Sequence, residues 1–180
     1  MSQELSDKKR MSMQTDDWHS QALEILSAES IEQLETIRLL FSEYAKSLNF
    51  DLCFQDFDKE LEALPGKYAA PAGRLLLALY DQKIAGCVGL WKVNKEVCEM
   101  KRLWVRPEFR GRRIGRKLAE SVIEQAKIIG YSRMKLDTID SMATAIKLYV
   151  SLGFKSISAY RYNPVEGAEY MELDLADERG

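Results

Sequence analysis

A short turn rich in arginine and glycine constrains the fold of this chain more than any other stretch. The turn, residues 110–116, reads Arg-Gly-Arg-Arg-Ile-Gly-Arg and follows a strand-like run at 97–105. A strongly periodic segment at 113–129 predicts a helix, Gly130 ends it, and a further strand-like run follows at 133–137. Because two strands joined through one helix lie parallel, the sequence predicts a parallel pair inside the sheet.

The rest of the chain alternates short strands and helices. The pattern predicts strands at 21–27, 74–80, 83–93, 97–105, 133–137, 154–159 and 169–175, and helices at 31–48, 54–63, 113–129 and 141–152. Short turns join the second, third and fourth strands, which favours an antiparallel meander. The predicted fold is therefore α/β in content (α+β), with a mixed, mostly antiparallel sheet flanked by helices.

Length and composition fit one compact domain. The chain has 180 residues, of which 46% are hydrophobic and 30% charged. We expect a domain over 18–176, a disordered polar tail over 1–17 and a short tail over 177–180. Three scattered cysteines, Cys53, Cys87 and Cys98, without a C-x-x-C pair, are typical of reduced thiols. Together with the lack of a secretory signal or a long apolar run, they predict a cytoplasmic protein outside the membrane.

The charge around the turn predicts a binding site for a compact polyanion. Residues 101–117 carry eight basic side chains against one acid, a net +7 in a chain of net charge −2, so the remainder carries −9. A glycine turn that opens a helix offers unpaired N–H groups at the positive end of the helix dipole. The acidic remainder argues against nucleic acid as the partner. The turn matches neither the P-loop nor the dinucleotide-binding pattern.

Two motifs resemble those of one superfamily. Arg110-x-x-Arg113-x-Gly115 resembles the Q/R-x-x-G-x-G/A motif of the GNAT acetyltransferases, and the run from Ala145 to Phe154 resembles their A-x-x-L-Y-x-x-x-G-F signature. The resemblance implies a GNAT-like fold, in which the central parallel strands splay apart, and an N-acetyltransferase that uses acetyl-CoA as cosubstrate and no metal.

The sequence departs from the family pattern at two positions. Arg113 stands where the family usually has glycine, and this side chain is acceptable if its φ is helical and it points outward. Met142 stands where many members carry an asparagine that contacts the coenzyme. The departures leave open a non-catalytic, CoA-binding sensor of the same fold as an alternative function.

The resemblance also assigns a set of cofactor-binding residues. They are Leu103, Trp104, Val105, Arg110, Gly111, Arg112, Arg113, Ile114, Gly115, Arg116, Met142, Ala145 and Tyr149. The amides of 111–116 are expected to hold the pyrophosphate, with charge-assisted bonds from Arg110 and Arg116. The backbone N–H of Leu103 or a neighbour is expected to polarise the thioester carbonyl.

The same resemblance assigns two catalytic residues. Tyr149 occupies the family's general-acid position near the CoA sulfur, and packing on an amphipathic helix is its alternative role. Glu99 interrupts an apolar strand and is the candidate base. Lys101 lies two residues on along the same strand face, so a surface ion pair of Glu99 with Lys101 or with an arginine is equally compatible, and a water chain can replace a dedicated base.

The acceptor is expected to be a primary amine of a small molecule, a peptide or a protein. Family members border this site with the segments at 50–60 and 160–170. These segments contribute Asp51, Asp56, Asp58, Glu60, Tyr160, Tyr162 and Asn163. The acids can attract a cationic amine or simply face solvent. The protein is expected to be a monomer or a homodimer.

Overall fold

A computed structural model describes residues 22–48, 51–52 and 56–176. In these residues the chain forms seven strands and four α-helices, in the predicted order. The strands are β1 (Leu23–Ser27), β2 (Arg74–Tyr80), β3 (Lys83–Lys92), β4 (Val97–Val105), β5 (Arg133–Ile139), β6 (Lys155–Ile157) and β7 (Ala168–Asp174). The helices are α1 (Ile31–Ser47), α2 (Phe57–Glu62), α3 (Ile114–Ile129) and α4 (Ala143–Ser151). The predicted tails, 1–17 and 177–180, and Cys53 lie outside the described residues.

One sheet contains all seven strands, in the order β1-β2-β3-β4-β5-β7-β6. Every neighbouring pair is antiparallel except β4 and β5, which confirms the predicted mixed sheet. The parallel ladder is short, because its register covers Val97 with Arg133 through Glu99 with Lys135. Beyond Glu99 the two strands diverge, and their backbones border a wedge-shaped opening at the middle of the sheet.

Helices cover both faces of the sheet and leave the wedge between β4 and β5 open. On one face, α3 buries Ile114, Leu118 and Val122 against the strands. On the other face, α1 buries Ile37 and Phe41 in a second apolar cluster. Burial of this apolar surface is the main stabilising contribution to the fold.

A capping box sets the start of α1. The Ser30 hydroxyl accepts a hydrogen bond from the backbone N–H of Gln33 at 3.2 Å, and the Gln33 side chain accepts from the Ser30 N–H at 2.9 Å. The Ser-x-x-Gln pattern predicts this reciprocal pair, because it satisfies two N–H groups that the helix cannot pair internally. The helix then ends at Ser47, one residue before its predicted end.

The two cysteines in the described part of the chain are buried free thiols. Burial raises the pKa of Cys98 to about 12 and that of Cys87 still further. A neutral, buried thiol is a poor nucleophile, so the structure favours a packing role for both residues. Within the described residues, no helix combines the length and the apolar character that crossing a membrane requires.

Candidate active site

A cavity of about 660 Å³ occupies the wedge between the diverging ends of β4 and β5. The turn before α3 and the first residues of α4 complete its walls. Twelve of the predicted cofactor-binding residues line it: Leu103, Trp104, Val105, Arg110, Gly111, Arg113, Ile114, Gly115, Arg116, Met142, Ala145 and Tyr149. Arg112 does not, because its guanidinium stacks over the Tyr80 ring, 5.0 Å from the ring centroid.

The backbone of the turn presents a row of unused donors. The N–H groups of residues 111–116 donate no hydrogen bond to any residue that the structure describes. They lie at the N-terminus of the 16-residue helix α3, where the helix dipole favours negative charge. Gly111 adopts φ +79°, a left-handed conformation that glycine takes without strain. The arrangement fits a pyrophosphate, which supplies several acceptor oxygens within a small volume.

Arg113 differs from its expected conformation. A helical φ was the condition for a side chain at this position, but the residue has φ 61° and ψ 14°, in the left-handed region. That conformation costs a residue with a Cβ roughly 1–2 kcal/mol. The reason is local: Arg113 is the N-cap of α3, where the chain turns from the loop into the helix. Glycine at this position in the family motif is explained by the same turn.

Two arginines of the turn flank the row of amides. Arg110 donates from Nε to the Val105 carbonyl at 3.2 Å, and its guanidinium lies 5.0 Å from the Trp104 ring centroid. Arg116 donates to the Ser151 hydroxyl at 2.6 Å, so it links the turn to α4. Both guanidinium groups are partly exposed at the cavity rim, where they can form additional bonds to phosphate oxygens.

A bulge interrupts β4 beside the cavity. Arg102 and Leu103 together oppose Val88 on β3, and Arg102 has φ +56°. A bulge leaves an extra residue outside the regular ladder and redirects the backbone. The sequence contains no glycine or asparagine that signals it, so sequence reasoning missed this feature.

A buried ion pair holds the bulge. The Arg102 guanidinium donates to both Glu60 oxygens at 3.1 and 2.7 Å, and the Tyr68 hydroxyl donates to Glu60 at 2.6 Å. The two charged side chains are only 3% and 8% exposed. Glu60, expected among the acids that attract the acceptor, instead contacts β4 from α2. Asp56 and Asp58 are exposed outside the cavity.

Tyr149 lies in the wall of the cavity, on α4. Its ring packs 5.8 Å from that of Phe154, yet its hydroxyl makes no hydrogen bond to any described residue. A tyrosine of ordinary pKa, about 10, is already protonated at neutral pH, and burial raises the pKa of Tyr149 further. A buried hydroxyl without a partner among the described residues is a donor available to a ligand.

Glu99 does not line the cavity. Its carboxylate accepts hydrogen bonds from the Trp91 indole at 2.9 Å, the Tyr160 hydroxyl at 3.1 Å and Lys101 Nζ at 3.4 Å, and it pairs with Arg161 at 2.7 Å. The Glu99–Lys101 ion pair that the strand spacing allows is therefore present, but buried. The predicted role of Glu99 as the base stays a prediction.

Asp137 is the carboxylate that does line the cavity, and the sequence reasoning missed it. It lies on β5, pairs with Arg161, accepts from Asn163 Nδ2 at 3.1 Å and lies 3.9 Å from Lys101 Nζ. The signal was its position toward the carboxyl end of a strand with a parallel neighbour, where sheet proteins place ligands. Of the predicted acceptor-site residues, Asn163 lines the cavity, whereas the Tyr162 side chain is exposed.

Comparison with known proteins identifies the family. Residues 34–154 match the model of the acetyltransferase (GNAT) family. A Schizosaccharomyces pombe protein named as an uncharacterized N-acetyltransferase is 39% identical over 147 residues, which span 81% of this chain and 90% of the relative.

Solved structures share the fold. A GNAT-family acetyltransferase from Staphylococcus aureus Mu50 superposes with a TM-score of 0.72 at 22% identity, over 86% of this chain and 100% of that one. An acetyltransferase from Salmonella typhimurium, solved with acetyl-CoA, gives a TM-score of 0.69 at 19% identity, over 88% of this chain and 97% of that one. The match to the family model and the identity to the Schizosaccharomyces pombe relative show that the chain belongs to the GNAT family and is an acyltransferase with N-acetyltransferase activity of the GNAT type.

Proposed function

We propose that this protein transfers the acetyl group of acetyl-CoA directly to a primary amine, without a covalent enzyme intermediate. One observation carries the proposal: a single cavity is lined by Gly111 and residues 113–116 with their free amides, by Tyr149, whose hydroxyl has no partner among the described residues, and by the charged pair Lys101 and Asp137. These three groups suit the three parts that must meet, which are the phosphates of the donor, its sulfur and the acceptor amine.

The walls of the wedge suit the donor along its length. The amides of 111–116 would hold the pyrophosphate, with Arg110 and Arg116 at the rim. The amide-containing pantetheine arm would pair with the edge of β4 that β5 leaves free beyond Glu99, because an exposed strand edge offers unpaired backbone groups. The bulge at Arg102 would direct the neighbouring N–H of Leu103 toward the thioester oxygen.

The reaction needs two proton movements. The amine nitrogen forms a bond to the carbonyl carbon, the C–S bond breaks, and its electron pair goes to sulfur. Tyr149 would give its phenolic proton to the sulfur. The nitrogen loses a proton to a carboxylate or to water: Glu99 is the predicted acceptor, behind Lys101, and Asp137 is the alternative in the cavity wall.

A direct assay tests the proposal. Purified protein is incubated with acetyl-CoA and a panel of amines, and thiol release and acetylated product are both measured. Amine-dependent thiol release with a matching product supports direct transfer. Tight CoA binding without turnover on any amine would instead assign the protein to the CoA-binding sensors.

The first prediction concerns Gly115, which lies in the turn that is proposed to hold the phosphates. Gly115→Ala adds a Cβ that meets Val105 Cγ2 at 3.6 Å and Leu148 Cδ2 at 4.0 Å, which are ordinary contacts. The fold therefore tolerates alanine, and the helix gains up to about 1 kcal/mol from its higher propensity. The methyl group occupies space at the phosphate end, so we expect the KM for acetyl-CoA to rise about tenfold while the melting temperature is unchanged or higher.

The opposite pattern is expected at Gly111. Alanine there meets nothing within 4 Å, but it must adopt φ +79°. Its main effect is strain, so the melting temperature falls. Steady-state kinetics and thermal unfolding of both variants check the prediction, and an unchanged KM in Gly115→Ala would remove this glycine from the phosphate site.

A further inference from the structure

Two opposite charges face the cavity from its two strands. Lys101 extends from β4 and Asp137 from β5, with Nζ and Oδ1 3.9 Å apart, and their side chains are only 4% and 9% exposed. Charged groups buried to this extent require partners, since removing them from water is costly. The hydrogen bonds that each group already makes within the protein therefore show which donors or lone pairs remain for a ligand.

Lys101 has unused donor capacity. Its ammonium has three N–H groups, and its hydrogen bond to a described residue is a single long one, 3.4 Å to Glu99. Asp137 lies beyond hydrogen-bond reach of it, and the Trp91 ring covers one side at 4.7 Å. A buried ammonium with such sparse bonding can accept a further anionic partner from the cavity.

Asp137 has capacity for a cation. One carboxylate oxygen contacts Arg161 and the other accepts from Asn163 at 3.1 Å, and each oxygen keeps a further lone pair. The carboxylate also lines the same cavity as Tyr149, the residue proposed to meet the sulfur. An ammonium group bound at Asp137 would therefore lie in the cavity that is proposed to hold the thioester.

The charges of this part of the cavity are balanced. Glu99 and Arg161 stand behind the pair, and each contacts charges of the opposite sign, so that two acids and two bases sum to zero. A polycation such as a polyamine requires a surplus of acid, which the described residues at this end of the cavity do not supply. A ligand with one positive and one negative group matches the arrangement without leaving either wall unpaired.

We propose that the acceptor is a zwitterion, an amine with a free carboxylate on the adjacent carbon, as in an α-amino acid. Its carboxylate binds Lys101 and its amino group binds Asp137. The inference rests on the proposed function and names the acceptor class for the same cavity. It excludes protein lysine side chains, which carry no carboxylate beside the reacting nitrogen.

The test compares matched acceptors on the wild-type protein. Each of the 20 amino acids is assayed with acetyl-CoA beside its α-amide, in which the carboxylate is neutral and the amine is kept, and spermidine is included as a polycation. For the best amino acid we expect a kcat/KM about 10–100-fold above that of its amide, the effect of losing one charge-assisted hydrogen bond. Equal or faster acetylation of the amides, or of spermidine, would overturn the proposal.

Calorimetric binding of CoA separates this proposal from the proposed function. CoA binding without turnover on any amino acid overturns the acceptor class. Acetylation of the amides or of spermidine that is equal to or faster than that of the amino acids also overturns it, but leaves acetyl transfer intact. Absence of CoA binding contradicts the proposed function itself.

A variant pair locates the effect. In Lys101→Met the ratio of amino-acid to amide kcat/KM is expected to fall toward one, mainly through a higher KM for the amino acid. Lys135→Met is the matched control, because Lys135 is an ion-paired lysine of β5 that does not line the cavity, and it keeps the wild-type ratio. A wild-type ratio in folded Lys101→Met would overturn the assignment, and if this variant does not fold, the wild-type panel decides.

Discussion

Tyr149→Phe is expected to lower kcat for acetyl transfer by about a hundredfold or more, because general-acid catalysis typically contributes a factor of this size. The substitution removes one oxygen and keeps the ring that packs against Phe154. Since the hydroxyl has no partner among the described residues, its loss leaves none of their polar groups unpaired. The melting temperature and the affinity for CoA are therefore expected to stay near their wild-type values.

Tyr131→Phe is the matched control. Tyr131 is also buried, but its hydroxyl donates to the Ala72 carbonyl at 2.7 Å, at a distance from the cavity lining. Its loss is expected to cost about 1 kcal/mol of stability and to leave kcat unchanged. Steady-state kinetics and thermal unfolding of both variants separate the two roles. A wild-type kcat in Tyr149→Phe would reduce Tyr149 to a packing residue.

Among the variants proposed for this protein, Glu60→Gln is expected to lose the most stability. The substitution leaves the buried Arg102 guanidinium without its counter-charge, and breaking a buried pair in this way costs about 3–5 kcal/mol. For a domain of this size the melting temperature should fall by roughly 6–20 °C. The same pair holds the left-handed backbone of Arg102 next to Leu103, so kcat is expected to fall as well.

Glu43→Gln provides the comparison for this pair. Glu43 makes the same two-bond contact with Arg106, at 2.9 and 2.7 Å, but the two side chains are 29% and 23% exposed. Water solvates the charge that remains on Arg106, so Glu43→Gln is expected to lower the free energy of unfolding by about 1 kcal/mol or less. Thermal unfolding that ranks Glu43→Gln as the more damaging change would contradict the buried-pair account.

The pH dependence of the melting temperature gives a second test of the role of Glu60. Burial raises the pKa of this carboxyl, but the hydrogen bonds and charge of Arg102 outweigh burial and hold the pKa below its ordinary value. A carboxyl whose pKa is lower in the folded than in the unfolded protein stabilises the fold at pH values above its unfolded pKa, about 4.3. This contribution is lost as the pH falls through the folded pKa. The difference in melting temperature between the wild type and Glu60→Gln should therefore shrink below about pH 4.

Local sequence patterns predicted most of the fold. The apolar periodicity of α3 and the capping box at Ser30 are local signals, and both elements begin and end within a residue or so of their predicted positions. The parallel pairing of β4 and β5 followed from one connecting helix and a general rule of handedness and topology. These features depend on residues that are near each other in the chain, which is why the sequence indicates them.

Features that depend on distant residues escaped prediction. The partner of Glu60 is Arg102, 42 positions away, and no spacing rule identifies it. Asp137 meets Arg161 and Asn163 because the pairing of β5 with β7 brings the loop between β6 and β7 beside β5. Arg102 adopts a left-handed conformation that its residue type disfavours, and its buried ion pair with the distant Glu60 accompanies it.

A crystal structure of the protein grown with CoA tests the central claim most directly. The pyrophosphate oxygens are predicted to accept hydrogen bonds from the amides of 111–116. The sulfur is predicted to lie beside the Tyr149 hydroxyl, in the wedge between β4 and β5. Coenzyme bound at another surface, with those amides still facing water, would contradict the account.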